Sequence, residues 1–269
     1  MCPKLGMLPV MSDYYADPRI SHSKLKEIRK SPAYFLHKLR EPTKETDAMK
    51  LGTLCHMAVL EPDKLEQNYI ALEEKIDRRT KEGKAAWAAL QEASEGKVVV
   101  QPWMWEVAKR VSESVMGHPM AAMLVNECLS EGSCEAEFRF SWDGVDCKSK
   151  LDGITAGGTV IDLKTTQDAD PAFFAGEIYK RYYHTQAAFY RRALKSANRR
   201  WSGHTFIVVE VEAPYQTSII RVTEEGVDIG ENTVRQWLGI YRTCNERGEW
   251  PGYGECDAPP PKWLVGTSG

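Results

Sequence analysis

The spacing of apolar residues changes character halfway along the chain. Leu51, Leu54, Cys55, Ala58 and Val59 recur at helical spacing and predict a helix from about Asp47 to Leu60, ended by Pro62. Ahead of it, Ser23 suits the cap of a short helix carrying Leu25 and Ile28. Ser31-Pro32 suits the N-cap and first position of another, carrying Phe35, Leu36 and Leu39. Tyr69 to Leu72 reads as a short strand, 73–84 as a charged connection, and about 84–94, 103–116 and 119–126 as helices. From Glu135 the period drops to two: Ala136, Phe138, Phe140 and Trp142 share one face, and Glu135, Glu137, Arg139 and Ser141 the other. Asp143-Gly144 is a hairpin turn signal. Asp146 to Thr166 then reads as two strands around Gly157-Gly158, giving three antiparallel strands in all. A helix from Pro171, a helix over about 182–196, strands over 203–212 and 215–222, and a helix over 224–246 complete the pattern.

These elements predict one α/β domain over residues 14–263, between an N-terminal arm (1–13) and a C-terminal tail (264–269). No internal repeat divides it. At 42% hydrophobic and 27% charged residues, the composition is that of an ordinary globular protein. No apolar run is long enough to span a bilayer, and the N-terminus lacks the apolar core of a secretion signal. The seven cysteines are scattered without a C-x-x-C pair, so neither a disulfide framework nor a zinc site is indicated. A net charge of −3 gives no global attraction to nucleic acid.

The candidate chemistry lies in the Asp146–Thr166 stretch. Residues two apart on a strand share a face, so Lys148, Lys150 and Asp152 line one strand, and Asp162 and Lys164 the next. A tight hairpin brings the two carboxylates and a lysine together. Neighbouring carboxylates resist joint ionisation unless a cation lies between them. Oxygen ligands without thiolates suit a hard cation such as Mg²⁺ or Mn²⁺. A lysine beside such a cation stabilises developing negative charge or holds an attacking water, as hydrolysis of a phosphodiester requires. Glu137 is a possible further acid from the neighbouring strand, and Lys150 an accessory cation. His56 lies one turn after Gly52 in GTLCH. A glycine inside a helix costs about 1 kcal/mol against alanine, which points to close approach of another backbone or of substrate. Gln186 and Tyr190 lie one turn apart in QAAFY, ahead of a basic run that includes Arg191 and Arg192.

The ordered set GTLCH, KSKLDGI, VIDLKTT and QAAFY resembles the RecB-like branch of the PD-(D/E)xK nuclease superfamily, and more closely the RecE (exonuclease VIII) family of recombination exonucleases. ISHSKLKEIRKSPAYF, HMAVLEP and WPGY extend the likeness from about Tyr14 to Trp263. The resemblance implies a restriction-endonuclease-like core, a central mixed sheet flanked by helices, with an N-terminal helical elaboration. It places the metal-binding histidine on His56, the two metal-binding acids on Asp152 and Asp162, the catalytic lysine on Lys164, and the family's Gln and Tyr on Gln186 and Tyr190. Two Mg²⁺ (or Mn²⁺) ions per site are expected, one also meeting the Leu163 carbonyl. The chain would be the nuclease core without the long N-terminal region of some members.

Relatives form rings around duplex DNA and digest one strand from its 5′ end, leaving a 3′ single-stranded overhang. The implied partners are therefore double-stranded DNA ends, copies of the same chain in a ring (a tetramer rather than a trimer) and a single-strand annealing recombinase. The implied setting is a bacterial cytoplasm, with a phage or prophage gene. Ser21, Ser23, Lys24 and Arg29 are candidates for a terminal 5′ phosphate, and Arg191 and Arg192 for other DNA contacts. Two alternatives stay open: a sequence-specific or structure-specific endonuclease with the same metal core, and a non-catalytic DNA-binding relative. Linear against covalently closed duplex separates the first; the intact acid, acid and lysine set speaks against the second.

Overall fold

The computed structural model describes residues 13–41, 45–74, 76–94 and 96–260. The predicted arm at 1–13 falls almost wholly outside them, as does the predicted tail at 264–269.

The first half is mainly helical: α1 (Asp13–Ala16), β1 (Ile20–Ser21), α2 (His22–Leu25), a 3₁₀ turn (Lys26–Arg29), α3 (Pro32–Arg40), α4 (Asp47–Leu60) and α5 (Pro62–Asn68). There follow β2 (Tyr69–Ala71), α6 (Lys81–Ala93), β3 (Val98–Val100), α7 (Pro102–Gly117) and α8 (Pro119–Ser130). The second half alternates: β4 (Ser133–Trp142), β5 (Val145–Ile154), β6 (Thr159–Thr166), α9 (Pro171–Lys180), α10 (Tyr183–Ser196), β7 (Gly203–Glu210), β8 (Thr217–Val222) and α11 (Glu224–Arg247). Ser31 caps α3 by accepting from Tyr34 N, as expected. The cap of α2 is Ser21 rather than Ser23, because Ser21 holds the extended backbone a cap needs and accepts from Lys24 N.

The central sheet is mixed and runs β1-β5-β6-β7-β8, with β4 on β5. Both faces are covered. Ile161 and Leu163 of β6, with Ile207 and Val209 of β7, pack against α4, α7 and α8. Val160 of β6 packs towards α10 and α11, and Phe206 and Val208 of β7 towards α9. Near-continuous apolar runs in β6 and β7 are the signature of strands buried on both sides. Asp162 therefore stands out: it is a carboxylate in the middle of such a strand, with no exposed surface.

The three predicted antiparallel strands form, but β5 and β6 do not run side by side along their length. They pair at Ile154↔Val160 and Gly153↔Ile161 and then part. Further along β5 the same edge is taken by β1, at Cys147 and Lys148. The sheet thus forks, and Asp152 and Asp162 are the first residues past the last paired rung. The fork is anchored by a tight turn, in which Gly158 N bonds Thr155 O at 3.0 Å. Gly158 has a φ of +89°, and a Cβ there would lie 2.7 Å from Arg200 O, so glycine is required.

The predicted basic run in the second half of α10 is partly an interior network. Arg191 is buried, and its guanidinium bonds Glu224, Asp228 and Glu231 of α11 at 2.6–2.7 Å. It fastens α10 to α11 and offers no free charge to DNA. Arg192 is half-buried with its Nε enclosed. Arg191→Ala is expected to cost about 2 kcal/mol, since it removes the packing of a buried guanidinium and its charge-assisted hydrogen bonds, while two of the carboxylates left behind are mostly exposed and stay hydrated. Denaturant unfolding should show that loss, while DNA affinity of the folded variant stays at the wild-type value. At the C-terminal side, Trp250 stacks on Phe35 with ring centroids 5.5 Å apart and pins the segment. Tyr253, 82% exposed, does not.

Candidate active site

The fork in the sheet assembles the site. Asp152 leaves β5 with its Oδ2 accepting from Leu163 N at 2.9 Å, a backbone donor freed because β6 has parted from β5. His56, on α4, brings Nδ1 within 3.3 Å of the same oxygen. Asp162 and Lys164, two apart on β6, form an ion pair between Oδ1 and Nζ. On the α10 side, Lys164 Nζ donates to Gln186 Oε1 at 3.3 Å, and Gln186 Nε2 donates to Tyr190 OH at 2.7 Å. The six residues of the sequence-level set thus converge in one cleft. They come from α4, β5, β6 and α10, four elements that are distant in sequence.

The electrostatics are those of a crowded anionic site. Burial pushes the carboxyls of Asp152 and Asp162 up to about 6, with Lys164 opposing the shift in both. Burial also works against the Lys164 ammonium, but Asp162 and Asp152 outweigh it and hold its pKa above the ordinary value. Burial, reinforced by Lys164, lowers His56, which favours the neutral imidazole that binds metals. Burial raises the Tyr190 phenol, with Asp162 and Asp152 adding to the effect, so it stays a neutral hydroxyl.

Several placements differ from the sequence reading. Glu137 does not enter the site; it lies opposite Lys150 on the sheet and 3.6 Å from the Arg139 guanidinium. The acid that enters is Glu135. Its register neighbours Cys134↔Gly153 and Ala136↔Leu151 set it opposite Asp152, and donor atoms of His56, Glu135 and Asp152 lie within 4.8 Å of one another. Glu135 holds a φ of +53°, a strained conformation for a non-glycine residue that its surroundings maintain. Lys150 pairs with it at 2.5 Å, so Lys150 does reach the site's edge. Counting back along β4 from the Asp143-Gly144 turn would have identified Glu135, because that turn fixes which residue faces Asp152.

Tyr183, one turn before Gln186 on α10, was also missed; Lys164 Nζ lies 4.7 Å from its ring centroid. Beside Gly52 a Cβ would meet Thr165 Oγ1 at an ordinary 3.8 Å, so no tight backbone contact demands that glycine.

Ser21 and Ser23 line a recess that adjoins the cleft, together with Lys26, Ser149, Lys150 and Gln186. Lys24 points elsewhere, donating to Lys38 O at 3.0 Å. Arg29 lies over the Tyr182 ring at 5.0 Å. Lys26 is thus the basic residue of this segment that reaches the recess; spacing on the helix alone does not distinguish it from Lys24.

The donor set suits a hard divalent cation: carboxylate oxygens with one imidazole and no thiolate.

A mixed sheet flanked by helices, forked so that D-(x)n-D-x-K side chains meet at the split, is a PD-(D/E)xK nuclease fold. The chain belongs to the family of the PDDEXK-like domain of unknown function (DUF3799), whose model matches residues 21–259. A candidate exonuclease from Eubacterium rectale shares the fold, with a TM-score of 0.65 at 16% identity, covering 98% of this chain and all of that one (100%). An alkaline exonuclease (LHK-Exo) from Laribacter hongkongensis matches at 12% identity over 86% of this chain and 94% of that one, with a TM-score of 0.29. No curated protein shows significant sequence similarity to the chain.

Proposed function

We propose that the protein is a divalent-metal-dependent exodeoxyribonuclease that digests one strand of linear duplex DNA from its 5′ end, leaving a 3′ overhang for recombination. The observation that carries this reading is the meeting of Asp152, Asp162 and Lys164 at the fork, with His56 and Glu135 beside Asp152. Direction and biological role rest on the ordered resemblance to RecE-like exonucleases.

Asp152, Asp162, His56 and the Leu163 carbonyl would hold Mg²⁺ or Mn²⁺, with Glu135 as a further ligand. A bound cation supplies Lewis-acid stabilisation of the scissile phosphate and a more acidic attacking water. Lys164 stays cationic beside the two carboxylates, so it acts by donating hydrogen bonds and charge to the water or phosphate, not by removing a proton. Gln186 fixes the Lys164 ammonium through Oε1 and is itself fixed by Tyr190. Lys26, Lys150, Ser21 and Ser23 offer cationic and hydroxyl donors for DNA phosphates in the adjoining recess. These local charges allow a chain of net charge −3 to hold DNA.

A ring of identical subunits fits this activity, since a closed channel retains a moving duplex with few contacts per subunit. Among tryptophans that could anchor such an interface, Trp103 is 45% exposed and available, whereas Trp105 packs partly on the core and Trp237 is buried. Size-exclusion chromatography with light scattering measures the assembly, and a strict monomer would defeat the ring.

The substrate test uses end-labelled linear duplex and covalently closed duplex, each with Mg²⁺. Progressive release of 5′-labelled nucleotide from the linear form alone is expected. Cutting of the closed form at a comparable rate would favour the endonuclease reading. The described helices include none long and apolar enough to cross a membrane.

A further inference from the structure

Behind Asp162, on the side away from the cleft, lies His204 of β7. It is paired in register with Val160, so it projects from the same sheet face as Asp162, one strand over. Its ring is 1% exposed and enclosed by aromatic rings: Phe206 at 4.6 Å, Tyr190 at 6.0 Å and Trp201 at 6.3 Å between centroids. Neither ring nitrogen has a hydrogen-bond partner among the described residues, and neither has the Oδ2 of Asp162. Nε2 and Oδ2 lie 4.0 Å apart.

Two orphaned buried polar atoms 4.0 Å apart can supply the donor and the acceptor of one hydrogen bond. Each alone costs on the order of 1–3 kcal/mol; a closure of about 1 Å would satisfy both. An aromatic cage of this kind contributes packing, but packing alone is served better by phenylalanine, which has no nitrogen to leave unpaired.

We propose that His204 is a positioning residue: its Nε2–H donates to Oδ2 of Asp162 and fixes that carboxylate, so that the oxygen facing the cleft is presented to the cation. The inference rests on the metal reading of the site given above. A neutral imidazole carries one ring proton to give. The supporting partners of metal-ligating groups typically govern metal affinity by about 10–100-fold.

The test is a Mg²⁺ titration of the DNA-free protein, followed by thermal shift, for wild type, His204→Phe and His204→Gln. His204→Phe keeps the ring packing and removes the donor. It should bind Mg²⁺ about 10–100-fold more weakly than wild type, while DNA affinity in EDTA is unchanged. His204→Gln restores an N–H donor and should recover much of the loss. Wild-type Mg²⁺ affinity in His204→Phe would overturn the proposal while leaving the metal site standing, and so would a Gln variant no better than Phe. A wild-type protein that binds no Mg²⁺ would overturn both.

Should the variants fail to fold, ¹⁵N spectra of the histidines in the wild-type protein decide. A proton on Nε2 of His204, with a shift on adding Mg²⁺, is expected. A proton on Nδ1, or no response to Mg²⁺, overturns the assignment.

Discussion

Asp162→Ala should lower DNA cleavage by about 10³-fold or more while the protein stays folded. The ion's stabilisation of transition-state charge is worth several kcal/mol, and each 1.36 kcal/mol is about tenfold in rate. Asp162 is fully buried on β6 and paired with Lys164, so no exposed neighbour can take its place as ligand. The fold tolerates the loss because burial already opposes ionisation of this carboxyl. Lys164 keeps Gln186, and Asp152 stays near enough to favour its charge. Asp162→Asn, of equal volume, separates charge from packing and should be equally inactive. DNA binding in EDTA should persist in both variants. Cleavage at the wild-type rate by a purified, folded Asp162→Ala protein would sink the assignment.

Without a divalent cation the protein should be least stable where its site is most charged. Asp152 and Asp162 are held at about 6 in the folded protein by burial, above the ordinary carboxyl value of 3.8. The folded state therefore binds protons more tightly than the unfolded chain between those values. By linkage, the pair's contribution to stability is fully present below the unfolded value and is lost as pH rises through about 6. A cation reverses the sign, because it binds the ionised form. At saturation one hundredfold above its dissociation constant it adds about 2.7 kcal/mol, roughly 5–10 °C in Tm for a chain of this size. Thermal unfolding with Mg²⁺ and with EDTA should thus diverge by that amount at pH 8 and converge below about pH 5.5. A Tm gain from Mg²⁺ that is equal at pH 5 and pH 8 would show binding away from these carboxylates.

Much of this molecule is legible in its sequence because local rules dominate there. The stripe from Leu51 to Val59 and the Pro62 stop fix α4 at Asp47–Leu60, the predicted limits. Ser31-Pro32 starts α3, and the Asp143-Gly144 turn with its alternating flanks sets the β4–β5 register. Side-chain alternation on a strand places Asp162 with Lys164, and helical spacing places Gln186 with Tyr190, whatever the rest of the fold does.

Relations between elements are another matter. Asp152 and Asp162 read as hairpin partners, yet they sit where the hairpin opens, because β1 takes the same edge of β5 further along the strand. Glu135 rather than Glu137 joins the site, since cross-strand register and a positive φ decide which acid faces Asp152. Lys26 rather than Lys24 reaches the recess, because the segment passes from α2 into a 3₁₀ turn and rotates its side chains. Arg191 reads as one of a run of exposed bases, but α11 supplies three carboxylates that draw it inside. His204 had no local signal at all: it comes within 4.0 Å of Asp162 only because β7 lies parallel to β6 and carries it there. The sequence alone determined most of the elements and six of the candidate site residues, through periodicity and turn chemistry that act over a few residues. Tertiary structure decided which charges are buried, paired or presented, because desolvation and pairing depend on neighbours that the chain brings together only when it folds.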